Sequence, residues 1–234
     1  MPQSQENLLL SAFNQALTDN TTRTIKNLLE VGLDQLANNE IIKSFPFIST
    51  VISVYNIGDT LRERHHLKSI AIFMQEIGEG VFDEDKRKKY VQKLSENKGF
   101  RNQELEYILI LLDKYINYDK SKWLAKLYLA YLNEEINWDE FLVYSEIIDN
   151  FLFGDEIFLL HGHAPNNIPT AEYEKYVERF CFMGLLEHEY HNEPVPNISG
   201  KPIPIKIDLG FKGTRFGIKL FRIIFNDPNK SNSL

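Results

Sequence analysis

Hydrophobic residues recur at helical spacing along most of this chain. Over 4–18 the apolar positions repeat every three or four residues, and the same spacing returns over 101–117, over 120–133 and after Asn137. Residues with this spacing share one face of an α-helix. Alternation with a period of two, which is typical of half-buried strands, does not occur before residue 185. We therefore predict that the body of the protein is an all-helical bundle.

The last third of the chain follows a different order of elements. A helix over 171–183 ends at Gly184, and a hairpin containing several prolines over 187–209 leads to a closing helix that begins near Thr214. The order helix, Gly-Leu-Leu-Glu, long β-hairpin and Thr-Arg-Phe-Gly helix resembles a winged helix-turn-helix domain. The predicted fold class is therefore mainly α, a helical bundle followed by a winged-helix domain with one β-hairpin.

This resemblance also sets the predicted domains, an α-helical bundle over 1–151 and a winged-helix-like domain over 152–234. In winged-helix proteins the helix directly before the Gly-Leu-Leu run is the recognition helix. The exposed face of that helix here carries three acids and two bases: Glu172, Glu174, Lys175, Glu178 and Arg179. A helix that reads DNA is normally basic. The resemblance therefore implies docking to a protein partner first, and DNA binding only as an alternative.

The charge of the chain is divided unevenly. Residues 1–200 hold 19 Lys+Arg against 31 Asp+Glu, whereas residues 201–234 hold 7 against 2, so the overall charge of −7 conceals a basic C-terminal segment. Because an acidic body repels phosphates, nucleic acid would have to bind that segment. We expect Lys201 and Lys206 on the wing and the remaining cations on the closing helix. The candidate nucleic-acid-binding residues are Lys201, Lys206, Lys212, Arg215, Lys219 and Arg222.

The most apolar window of the chain lies between Lys43 and Asp59. Its uncharged stretch is shorter than the roughly 20 residues that a membrane-spanning helix needs. Two interpretations remain, a buried central helix and a helix that lies on a membrane surface. The residues that would contact the membrane in the second case are Phe45, Phe47, Ile48, Val51 and Ile52.

The segment Lys122–Asp149 consists of a helix, a short acidic turn and a second helix that opens with aromatic residues. It is similar to one step of the TerB-like helical domains of tellurite-resistance proteins. That resemblance implies metal binding through acidic residues, and the matching turn holds Glu134, Glu135, Asp139 and Glu140. The spacing of an EF-hand loop is not present, so exposed acidic helix capping is the other interpretation.

Four histidines flank the predicted recognition helix. His161 and His163 precede this helix, and His188 and His191 follow it. They are weak candidates for a zinc site, in which imidazole is a usual ligand. Residues three apart on a strand point to opposite faces, so His188 and His191 should not converge. The alternative is that these histidines belong to loops and strand edges, and we predict no metal and no cofactor.

No motif in the chain indicates catalysis. The glycines near residue 213 lack the spacing of a phosphate-binding loop, and no nucleophile-elbow serine is present. The single cysteine, Cys181, excludes an internal disulfide and fits a reducing compartment, and we interpret it as a buried, inert thiol. We therefore assign no catalytic residue, predict that the protein is not an enzyme, and expect a cytoplasmic location.

These patterns favour a non-enzymatic bacterial or phage-associated interaction protein whose winged helix docks a protein partner. One alternative is a DNA-binding transcriptional regulator that uses the wing and the last helix. Another is a phage-exclusion or defence factor that associates with a membrane surface. Formation of a homo-oligomer is compatible with each of these functions.

Overall fold

The computed structural model describes residues 3–18, 46–55, 60–80, 85–86, 89–90, 92, 97–152, 174–192 and 207–225. Within them the chain forms eight helices of nine or more residues and two strands. The helices are α1 (Gln3–Thr18), α2 (Pro46–Tyr55), α3 (Leu61–Glu79), α4 (Lys98–Lys114), α5 (Tyr118–Leu132), α6 (Trp138–Asn150), α7 (Glu174–Phe182) and α8 (Arg215–Phe225). The strands are β1 (Leu186–Asn192) and β2 (Ile207–Gly213). The predicted mainly helical class is confirmed.

The chain divides into two compact units, Met1–Asn150 and Phe151–Leu234. The first unit contains α1 to α6, and the second contains α7, both strands and α8. This division falls close to the predicted domain boundary at residue 151. That each unit folds as a separate domain stays a prediction.

The core of the first unit is organised around the ring of Tyr128 on α5, which is fully buried. Its centroid lies 6.0 Å from that of Phe13 on α1, 6.0 Å from that of Phe73 on α3 and 5.8 Å from that of Phe141 on α6. Tilted and edge-on aromatic pairs at these separations stabilise a core beyond their buried area. One side chain therefore joins four helices of the bundle.

Polar caps define where two helices of the first unit begin. Asn137 accepts a hydrogen bond at Oδ1 from the backbone N–H of Glu140 at 2.9 Å, and Glu140 accepts one in return from the N–H of Asn137 at 3.0 Å. This reciprocal box satisfies two N–H groups that α6 cannot pair internally. Thr60 and Glu63 form the same arrangement at the start of α3. Asn137 is therefore the N-cap of α6.

Within the apolar window, Pro46–Tyr55 forms α2, a helix of the core. Phe47, Ile48 and Val51 are buried, Ile52 is partly buried, and the rings of Phe47 and Phe13 lie 5.0 Å apart. The interpretation as a buried helix is therefore confirmed, and a membrane contact through α2 would require its buried residues to leave the core. Phe45 lies outside the described residues. Among the residues that are described, no helix is both long and apolar enough to cross a membrane.

The second unit contains a two-stranded antiparallel sheet, in which Leu186 pairs with Gly213 and Asn192 with Ile207. The first strand starts within one residue of the predicted hairpin, but the second continues to Gly213, four residues past the predicted end at Leu209. Residues 193–206 between the strands are not among those described. Apolar residues from α7, from the turn after it and from α8 form the core of this unit: Val177, Phe180, Leu185, Leu220 and Ile224.

Candidate functional site

The end of α7 is fixed by a glycine turn. Gly184 has φ +74°, in the left-handed region that glycine adopts without steric cost. Its N–H donates to Cys181 O at 2.9 Å, and the N–H of Leu185 donates to Phe180 O at 2.9 Å. This is the hydrogen-bond pattern of a Schellman motif, and the buried side chains of Leu185 and Phe180 supply its apolar contact. The turn directs the chain from α7 straight into β1.

The start of α8 is attached to this same turn through Thr214. The Thr214 hydroxyl donates to Gly184 O at 2.7 Å and accepts from the N–H of Gly217 at 2.9 Å, which makes it the N-cap of α8. A Cβ atom at Gly217 would lie 2.1 Å from Leu185 O, so only glycine permits this close approach. The Gly-Leu-Leu and Thr-Arg-Phe-Gly runs of the sequence therefore meet in space as one junction.

The exposed face of α7 is apolar and acidic. Phe182, in its last turn, is 93% exposed, and Glu178, one turn earlier on the same face, is 58% exposed. The Glu178 carboxylate lies 3.6 Å from Nε2 of His188 on β1, and the His188 ring packs 4.9 Å from that of Phe211. The side chains of Glu172, Glu174 and Lys175 are outside the described set, and Arg179 is partly buried.

Lys212 does not lie on the closing helix, as the sequence predicted, but on strand β2. It pairs across the sheet with Glu187, and the Lys212 Nζ and Glu187 Oε1 atoms are 3.4 Å apart. The prediction was wrong because the strand continues to Gly213 and the helix begins only after the Thr214 cap. Opposite charges in such a cross-strand pair stabilise a sheet modestly, and the positive charge of Lys212 is offset locally.

The other predicted cations of this unit that are described lie on α8. Arg215 and Arg222 are exposed and Lys219 is partly buried, and their spacing places them on one face of the helix. Ile218, in the middle of this face, is 57% exposed. Lys201 and Lys206 lie outside the described part of the chain. The structure thus brings three of the six candidate residues together.

The weak metal candidates do not form a cluster in the described residues, which contain no group of three or more His, Cys, Asp or Glu side chains suited to a metal ion. His161 and His163 fall outside those residues. The described acidic turn of the first unit forms no such group either, and its Glu140 carboxylate accepts the capping hydrogen bond from Asn137. Glu134 and Glu135 are exposed in the turn after α5.

The Cys181 thiol is partly buried rather than fully buried as predicted. Burial, with a smaller contribution from the charge of Glu178, raises the pKa of this thiol above its ordinary value. Since the thiolate is the reactive form of cysteine, the local environment disfavours a nucleophilic role for Cys181.

A buried polar cluster in the first unit was not anticipated from the sequence. Glu104 accepts hydrogen bonds at Oε1 from the hydroxyls of Tyr90 and Tyr128, each at 2.8 Å, and at Oε2 from Arg101 Nη1 at 2.5 Å. The Arg101 guanidinium also lies 4.6 Å from the centre of the Tyr90 ring. All four side chains are buried. The sequence signal was Glu104, a charged residue at a position of the apolar stripe of α4. Helical spacing alone does not show whether such a residue is buried or exposed.

A second polar contact joins α3 to α4. Arg62 forms an ion pair with Asp113, and His66 Nε2 lies 3.1 Å from Leu109 O. Arg62 is exposed, whereas His66 is partly buried and its pKa is lowered chiefly by burial. These contacts hold α3 and α4 together.

Comparison of the chain with models of protein families, with curated proteins and with solved structures finds no match. What the candidate site does must therefore be argued from its own residues.

Proposed function

We propose that this chain is a non-enzymatic interaction protein, and that its second unit has a winged-helix arrangement that docks a protein partner. The observation that carries the proposal is the exposure of Phe182 on α7. An aromatic side chain buries a large apolar area when it is covered, and aromatic anchors dominate many protein interfaces. In a winged helix, α7 occupies the place of the recognition helix.

The order and joining of the elements support the winged-helix part of this proposal. The described elements run helix, glycine turn, strand, antiparallel strand and helix, which is the order that the winged-helix resemblance implies. The close approach of Gly217 to the backbone of Leu185 joins the two glycine-containing runs.

The charges near Phe182 favour a protein over DNA as the partner of this face. Glu178 is more than half exposed, whereas Glu187 and Lys212 offset each other across the sheet. Phosphate groups would be repelled by the Glu178 carboxylate. A protein surface with an apolar pocket and a nearby cation would complement both the ring and this carboxylate.

The test is capture of partners from lysates of the source cells by the tagged full-length chain. Phe182→Ser should abolish capture, because it removes the exposed ring without touching the core. Ile110→Ser is the matched control, since Ile110 is a 53% exposed apolar residue on α4 of the first unit. If the two variants retain the same proteins as the wild type, the docking role of α7 is wrong.

A DNA-binding regulator is the second candidate, favoured by the cations that share one face of α8. If nucleic acid binds this face, its affinity should fall steeply as the salt concentration rises. The slope of log affinity against log salt concentration should become shallower by about 0.9 for each phosphate contact removed. Lys219→Glu combined with Arg222→Glu should then abolish retention on immobilised duplex DNA. Unchanged retention after both reversals would exclude this candidate.

A further inference from the structure

Two exposed helix faces of the second unit carry opposite charges, and each has a large apolar residue. On α7 the pair is Glu178 and Phe182, which are four residues apart and therefore neighbours on the surface. On α8 the exposed residues Arg215 and Arg222 flank Ile218, which is 57% exposed. An acidic face with an exposed ring and a basic face with an exposed aliphatic side chain complement each other.

Both faces belong to elements that meet at one junction. The Thr214 hydroxyl, which caps α8, donates to the carbonyl oxygen of Gly184 at 2.7 Å, and Gly184 follows Phe182 by two residues. The end of α7 and the start of α8 are therefore joined at a fixed point. Two complementary surfaces on one chain meet the requirement for a two-fold symmetric dimer, in which each surface contacts the other surface of the second copy.

We infer that the docking partner of this unit is a second copy of the same chain, with the α7 face of one copy against the α8 face of the other. This rests on the proposed docking function and names its partner. In the symmetric dimer the contact occurs twice, and each contact buries Phe182 of one copy beside Ile218 of the other. Ile218 also argues against DNA as the ligand of α8, because an aliphatic side chain gains little from lying against phosphates.

The test is the molar mass of the full-length chain, measured by light scattering across a concentration series. The wild type should dimerise as concentration rises. Glu178→Lys alone and Arg222→Glu alone should each be monomeric, since each places like charges in both contacts. Glu106→Lys is the matched control, because Glu106 is an exposed acid on α4 of the first unit, and this variant should dimerise as the wild type does.

An equimolar mixture of the two single variants should regain the dimer. In that mixed dimer the introduced lysine meets the introduced glutamate in one contact, and the native Glu178 meets the native Arg222 in the other. A monomeric wild type, or single variants that dimerise normally, would overturn the inference. Failure of the mixed single variants to form a dimer would also overturn the inference. This holds provided that both variants are folded, which is shown if the Thr214 amide keeps its protection from hydrogen exchange in each.

The outcomes also separate this inference from the function on which it rests. A monomeric wild type that still captures another protein, in a manner that depends on Phe182, excludes the second copy but keeps the docking function. A chain that neither dimerises nor captures a protein through Phe182 excludes both.

Discussion

Glu104 places a carboxylate among phenols and a guanidinium inside the first unit. Its side chain is 1% exposed and that of Arg101 is 8% exposed. Removing two charges from water costs several kcal/mol per ion, and only close pairing with further hydrogen bonds offsets that cost. The hydroxyls of Tyr90 and Tyr128 supply those hydrogen bonds. The cluster is therefore stable only as a complete set.

We predict that Glu104→Gln destabilises the first unit by about 3–5 kcal/mol, because it leaves the Arg101 charge buried without its counter-ion. Both tryptophans of the chain, Trp123 and Trp138, lie in this unit, so their fluorescence during urea unfolding reports on it. Glu106→Gln, on the exposed side of the same helix, should change the stability by less than about 0.5 kcal/mol. Equal effects of the two substitutions would contradict this account of the cluster.

The same cluster predicts a loss of stability at high pH. Burial, together with the negative charge of Glu104, raises the pKa of both Tyr90 and Tyr128 well above the ordinary value. The fold favours the neutral phenols, so their contribution is complete below the unfolded pKa of about 10 and declines as the pH rises towards the folded values. Tyrosinate absorbance and tryptophan fluorescence should therefore change together above about pH 10. Ionisation of all the tyrosines while the fluorescence stays native would show that the phenols are not buried.

Gly217 is the residue on which the junction of the second unit depends. Gly217→Ala should destabilise this unit by about 1–3 kcal/mol, because the added Cβ would overlap the backbone of Leu185. Gly99 on α4 has open space around it, so Gly99→Ala should instead stabilise by about 0.5–1 kcal/mol. Hydrogen exchange of peptides from each unit measures both effects. If the Leu185 amide is as well protected from hydrogen exchange in Gly217→Ala as in the wild type, the packing described is contradicted.

At the scale of elements, the hydroxyl of Thr214 connects the ends of α7 and α8. Thr214→Ala should cost about 0.5–2 kcal/mol, the usual range for loss of an N-cap. Thr214→Ser should restore most of it, because serine keeps the hydroxyl that donates to Gly184 O and accepts from Gly217 N–H. Faster exchange of the α8 amides in the alanine variant alone is the expected result. Equal hydrogen exchange of the α8 amides in Thr214→Ala and Thr214→Ser would mean that the Thr214 hydroxyl does not stabilise the start of α8.

The helices with strong apolar spacing were predicted well from the sequence. Helix α5 was expected over 120–133 and runs Tyr118–Leu132, since both its cap and its buried stripe are local signals. The helix predicted over 101–117 ends at Lys114, because Asn117 already caps the next helix. Ile116 therefore lies between helices and is 89% exposed, although the predicted helix included it. Helical spacing does not show where one helix gives way to the next.

The residues of the candidate site were harder to predict than the helices. The sequence indicated the glycine turn and the Thr214 opening, because both are local motifs with one preferred geometry. It did not place Lys212 correctly, because the end of a strand depends on its partner strand. Nor did it reveal the exposure of Phe182, since an aromatic residue at the end of an amphipathic helix is usually buried.

At the scale of the whole molecule, the described residues of the two units differ in what they bury and what they expose. The described core of the first unit is joined by aromatic contacts and by the buried Glu104 cluster, whereas the second unit exposes Phe182 and Ile218. The first unit, residues 1–150, holds 17 Lys+Arg against 23 Asp+Glu, and this acidic balance would repel nucleic acid and other acidic surfaces. Docking should therefore depend on the second unit, and substitutions on the first should affect it only by unfolding the chain.

The central claim is that the exposed end of α7 contacts a protein. Its most direct test is a photoreactive phenylalanine analogue in place of Phe182, cross-linked in the source cells, with the same analogue at Ile110 as the control. We expect a discrete protein adduct from position 182, either a second copy of the chain or another protein, and none from position 110. Absence of a protein adduct at 182, or cross-linking there to nucleic acid, would contradict the account.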